Sequence, residues 1–92
     1  YAGSKAALDT LTTGLALELA GDGVRVNAVR PGLIDTEIHA DCGIPDRAEK
    51  LGAQTPMGRA GTADEVAEAV LWLLSDASSY STGAIIDVSG GR

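Results

Sequence analysis

Two short β-branched segments separated by a helical pattern constrain this chain more than any other feature. Residues 24–29, V-R-V-N-A-V, nearly alternate and read as a strand, and Ala84-Ile85-Ile86-Asp87-Val88 reads as another. Between them Val66, Ala69, Val70, Leu73 and Leu74 recur at helical spacing as far as Ser75. Thr62-Ala63-Asp64-Glu65 opens that helix as a capping box with Thr62 as N-cap. Strands joined through a helix lie parallel with a right-handed crossover. Parallel sheets are covered on both faces, and two strands with two helices do that poorly. The order helix, strand, excursion, helix, strand therefore predicts an α/β fold, one end of a larger doubly wound parallel sheet.

The first helix is expected over residues 2–20, where Leu8, Leu11, Leu15 and Leu19 fall at spacings of three and four and form an apolar stripe. Ala6, Ala7, Ala16 and Leu17 widen it, so the helix is expected to contact more than one surface; Gly21 and Gly23 end it. Arg30-Pro31-Gly32 stops the first strand. From Leu33 to about Gly61 the periodicity fails, with a short helix expected near 46–52. An excursion of this length inside a compact domain is usually functional or mobile.

Composition narrows the partners. The net charge is −6 and the cations are scattered singly, which offers no patch for nucleic acid. No apolar run approaches the roughly 20 residues of a membrane span. One cysteine, Cys42, forms no internal disulfide, so a cytoplasmic protein is expected. His39, with Asp41 and Cys42 as its near neighbours, reads as structural or pocket-lining, and no metal is expected. With 92 residues, 12 glycines and no Phe, the core must come from Leu, Ile, Val and Ala, which is thin for a self-sufficient fold.

Tyr1 and Lys5 in Y-A-G-S-K stand one helical turn apart on one face. A free tyrosine has a pKa near 10; an adjacent cation favours phenolate and lowers that value by about one to three units. Such a phenol could give a proton to a carbonyl oxygen or take one from an alcohol. Taken alone, Y-x-x-x-K more often marks two exposed helix residues.

The motif is followed in order by N-A-V-R-P-G-L-I-D-T from Asn27, P-M-G-R-A-G-T-A-D-E-V-A from Pro56, L-L-S-D-A-S-S-Y-S-T-G from Leu73, and a strand closing in G-G. This series resembles the short-chain dehydrogenase/reductase family across all 92 residues. The resemblance implies the C-terminal part of a Rossmann-type NAD(P)-binding domain. It implies a reversible hydride transfer between NAD or NADP and a small alcohol/carbonyl substrate. Tyr1 matches the family's acid/base and one of its cofactor-binding residues, and Lys5 the lysine that tunes it and bonds the nicotinamide ribose. Pro31 and Gly32 match the strand end beside the nicotinamide, Ile34 a backbone contact to the carboxamide, and Thr36 a hydroxyl on the carboxamide or phosphates. Residues 37–55 match the substrate loop. Asn27 is expected to satisfy backbone groups near its strand. Leu71, Trp72 and Ile86 match a subunit interface, so a homodimer or homotetramer is implied. Subfamily patterns are similar to sugar or polyol dehydrogenases and 3-oxoacyl-carrier-protein reductases.

The family's Gly-rich pyrophosphate turn and its carbonyl-polarising serine have no counterpart in these residues. The sequence therefore reads as a C-terminal portion beginning at the catalytic tyrosine, expected to bind cofactor poorly by itself. The competing expectation is a non-catalytic module that self-associates through the first helix's apolar face.

Overall fold

A computed structural model describes residues 2–35 and 47–91. Helix α1 spans Ala2–Leu19, β1 Ala28–Pro31, β2 Ile34–Asp35, α2 Arg47–Gly52, β3 Gly61–Thr62, α3 Ala63–Leu74 and β4 Ile85–Val88. Strands β1 and β4 pair in parallel, with Ala28 opposite Ile85 and Pro31 opposite Val88. The helix between them makes the crossover that the order of elements required.

The first strand starts later than its alternation suggested. Val24–Asn27 is irregular because the backbone and side chains there bond the loop before β4. Val26 N–H donates to Thr82 Oγ1 at 3.1 Å and its carbonyl accepts from Gly83 N–H at 2.7 Å. Asn27 bridges the same loop, its Nδ2 donating to Ser81 O at 3.1 Å and its Oδ1 accepting from Ala84 N–H at 2.9 Å. That is the backbone-satisfying role expected of it. Arg25 donates to the carbonyls of Ser75 and Ser81 and to Ser78 Oγ. The strand then runs through Arg30 and Pro31 instead of stopping at them. Pro31 lacks an N–H, yet Gly32 N–H reaches Val88 O at 2.9 Å and carries the ladder past it.

The excursion also holds order that periodicity did not show. Strands β2 and β3 pair in parallel, Ile34 with Gly61 and Asp35 with Thr62, and Gly61 N–H donates to Leu33 O at 2.9 Å. This short ladder closes the base of the excursion. Two-residue strands carry no readable period, which is why sequence patterning passed over them. Helix α2 lies where a short helix was expected.

Helix α1 ends in a 3₁₀ turn, Ala20–Asp22, with Gly23 in the left-handed region at φ 76°. Its leucine stripe is not its buried side: Leu8 and Leu11 are 55% and 56% exposed, whereas Thr12 and Ala16 are buried. Small side chains let the helix approach the loop before β4 closely; a Cβ on Gly83 would lie 3.4 Å from Ala16 Cβ. Ala16 and Leu73 are the buried apolar residues among those described. Helices α1 and α3 leave much apolar surface uncovered, Leu8, Leu11, Leu71 and Leu74 among it, as expected of one end of a larger sheet.

The capping box at α3 is formed. Glu65 N–H donates to Thr62 Oγ1 at 3.1 Å, and Thr62 N–H donates to Glu65 Oε1 at 3.0 Å. Arg59 adds a fork to the same carboxylate, at 2.8 and 3.0 Å. The guanidinium, and after it the Thr62 backbone donor, hold the Glu65 carboxyl at about 2, against an ordinary 4.5. Because the folded-state value is the lower one, the cap's contribution is complete above pH 4.5 and disappears as pH falls through about 2. A carboxyl carbon NMR titration of the protein is expected to place the Glu65 midpoint near 2. Arg59→Gln should move that midpoint up toward the ordinary range.

Candidate active site

The C-terminal end of β1 and the first turns of α1 face one another across a cleft of about 660 Å³. Lys5 lines it from the helix, Pro31, Gly32 and Leu33 from the strand end, and Asp87 and Ser89 from β4 and its exit. Thr55 closes it from the returning limb of the excursion. Lys5, Pro31 and Gly32, named separately on the sequence, thus meet in one cleft. Ligands in open α/β sheets bind outside the carboxyl ends of the strands, which is where this cleft lies.

Gly32 is required by close approach: a Cβ there would stand 2.8 Å from both Cα and Cβ of Ser89. Backbone can thereby meet a ligand at the strand end without a side chain in the way. Ile34 lies apart from Lys5, in β2, with its side chain in an adjoining groove shared with Ala63 and Val66. Gly61 leaves room for it, since a Cβ there would meet Ile34 Cδ1 at 2.9 Å. Tyr1 and Thr36 lie outside the described residues, as do His39, Asp41, Cys42 and most of the expected substrate loop.

Sequence reasoning passed over three charged residues here. Arg30 Nη1 donates to Asp9 Oδ2 at 2.8 Å, and its Nε and Nη2 donate to Asp87 Oδ1 and Oδ2 at 2.9 and 3.4 Å. One guanidinium therefore joins α1, β1 and β4. Asp9 stands one turn from Lys5 on the same helix face, and that spacing was the available signal. Thr55, buried at 6% exposure, was also missed. Its Oγ1 accepts from Arg59 N–H at 3.2 Å and lies within donating distance of the Gly52 and Arg59 carbonyls, which knots the returning limb.

A family model described as enoyl-(acyl carrier protein) reductase matches residues 1–92. The chain is 58% identical over its whole length to the uncharacterized oxidoreductase YgfF of Escherichia coli, covering 37% of that protein. These residues belong to the short-chain dehydrogenase/reductase family. Within that family the chain is 49% identical to a galactitol 2-dehydrogenase of Cereibacter sphaeroides, with 99% of this chain and 36% of the relative covered. An NADPH-bound short-chain oxidoreductase from Pseudomonas aeruginosa superposes with a TM-score of 0.86 at 38% identity. That superposition covers 97% of this chain and 37% of the other. A 3-oxoacyl-acyl-carrier-protein reductase from Brucella melitensis also gives 0.86, at 42% identity over 99% of this chain and 34% of that one. The fold is thus part of the Rossmann-type sheet of the short-chain dehydrogenases. The chain spans roughly a third of the length of these relatives.

Proposed function

We propose that the protein is an NAD(P)-dependent oxidoreductase that interconverts a small alcohol and its carbonyl compound. The observation that carries this reading is the opening of Lys5 onto the same cleft as Pro31 and Gly32. The residues present fit the nicotinamide end of such a cofactor: an ammonium, a strand end ending in a glycine that lacks a Cβ, and a cleft within the usual ligand-site range of about 300–1,000 Å³. When bound, the cofactor supplies or accepts the hydride.

In this reading Tyr1 holds the proton at its phenolic oxygen. It donates that proton to the carbonyl oxygen during reduction and accepts it from the hydroxyl during oxidation. Lys5 stabilises the phenolate that remains and bonds the ribose, which couples proton and hydride positions. Pro31, Gly32 and Ile34 orient the ring through backbone groups, and Thr36 supplies a hydroxyl to the carboxamide or phosphates. Residues 37–55 wall off the substrate and exclude water. Residues 1–92 act as the C-terminal portion of one NAD(P)-binding domain, with the pyrophosphate turn supplied by sequence beyond them. Relatives that reduce 3-oxoacyl carriers or oxidise galactitol support this substrate class. Assembly is as a homodimer or homotetramer, to which the exposed Leu71 and Trp72 contribute.

The test is a nicotinamide absorbance assay of the intact protein that contains residues 1–92, with NADH and NADPH against aldehydes, ketones and 3-oxoacyl thioesters, and in reverse against polyols. Turnover with one cofactor and one substrate class is expected. Cofactor consumption that is absent in every combination would overturn the reading. A polypeptide of residues 1–92 alone is expected to show negligible turnover.

A further inference from the structure

We propose that Arg30 is a positioning residue that sets the distance between the helix bearing Lys5 and the strand end that faces the nicotinamide. The inference rests on the oxidoreductase reading above. Arg30 directly precedes Pro31-Gly32, and its backbone is held in the β1–β4 ladder opposite Asp87. Asp87 takes the Nε–Nη2 edge of the guanidinium at 2.9 and 3.4 Å, which orients the plane. The remaining Nη1 then reaches across to Asp9 Oδ2 at 2.8 Å. Asp9 is one helical turn beyond Lys5, and Arg30, Asp87 and Lys5 line the same cleft. The helix that carries Lys5 is therefore docked on a strand-borne guanidinium next to the place where, on that reading, hydride moves.

The chemistry selects arginine. A planar fork meets two carboxylates in fixed directions, whereas a lysine ammonium offers a point charge without a preferred plane. The two carboxylates and the guanidinium leave one negative charge beside Lys5, so the link adds no net positive charge to the cleft. The three side chains are 38%, 27% and 56% exposed, so solvent screens these pairs and they contribute little to folding. What they set is geometry, and a misplacement of about 1 Å can cost on the order of 100-fold in rate.

The test compares Arg30→Met, Asp9→Asn, Asp87→Asn and the Asp9→Asn/Arg30→Met pair in the protein. Turnover is expressed per folded site, counted by cofactor titration, and measured with protio and deuterated nicotinamide. Arg30→Met and Asp9→Asn are each expected to lower kcat per site roughly 10- to 100-fold, with a deuterium effect at least as large as the wild type's. Asp87→Asn should cost less, since it loosens the plane and leaves the helix link in place. The double variant should be no slower than the slower single one, because both remove the same contact. A merely structural role would lower the number of folded sites and leave kcat per site unchanged, and that result overturns the proposal. Additive losses in the double variant overturn it too. If the wild-type protein transfers no hydride, the oxidoreductase reading itself fails and takes this inference with it; wild-type turnover with unaltered variants removes the positioning role alone.

Discussion

Tyr1→Phe is expected to lower hydride turnover by roughly 10²–10⁴-fold, the usual contribution of a positioned proton donor. The substitution deletes one oxygen and keeps the ring, so packing changes little and the rate reports the proton. Cofactor affinity should stay near the wild-type value, because Pro31, Gly32 and Lys5 are untouched. Lys5→Met should produce a loss of similar size with a different signature. It removes the ammonium from the cleft it shares with Gly32, so cofactor binding weakens along with kcat. If Lys5 tunes Tyr1 as proposed, rate and affinity should fall together in both reaction directions. Steady-state kinetics in both directions, with cofactor binding measured separately, checks both variants. Equal kcat in Tyr1→Phe and wild type would reassign the acid/base.

Gly52→Ala is expected to be the most destabilising small change in the returning limb of the excursion. A Cβ at Gly52 would collide with Ala60 N and stand 2.9 Å from Arg59 C. These are backbone atoms already held: Arg59 N–H bonds Thr55 Oγ1, and Ala60 is followed at once by the β2–β3 ladder. The clash cannot be relieved by a rotamer change, so the limb itself must shift, at a cost of roughly 1–3 kcal/mol or more. Thr55 moves with it, and through Thr55 the wall of the Lys5 cleft. Gly14→Ala is the matched control. Among the described residues nothing lies within 4 Å of the Cβ that it would add, and it sits inside α1. It should stabilise by roughly 0.5–1 kcal/mol through the lower entropy of the unfolded chain. Denaturant unfolding of both variants, with opposite shifts of the midpoint, checks the pair.

Lys5 was singled out from the chain by its one-turn spacing from the chemically complementary Tyr1, and it opens on the cleft shared with Pro31 and Gly32. Gly52 was not singled out, since its constraint comes from Ala60, eight positions away and brought close by the turn between them. Arg30 is intermediate: its position beside Pro31-Gly32 was plain, while its partners Asp9 and Asp87 are 21 and 57 residues distant. No local pattern reports a contact of that range.

The sequence by itself determined the type and order of the main elements, the capping box at Thr62 and the parallel sense of the two main strands. It also carried the series of motifs that marks the short-chain dehydrogenases. These follow from local spacing, capping chemistry and the geometry of a helical crossover, all written within a few residues of one another. Tertiary structure alone decided which face of α1 is buried, because the small Ala16 fits against Gly83 in the loop before β4 while Leu8 and Leu11 stay exposed. It moved the start of β1 to Ala28, since Arg25, Val26 and Asn27 bond that loop instead of a neighbouring strand. It also assembled the Asp9–Arg30–Asp87 junction and the β2–β3 ladder, because such contacts exist once the chain has brought distant residues within a few ångströms.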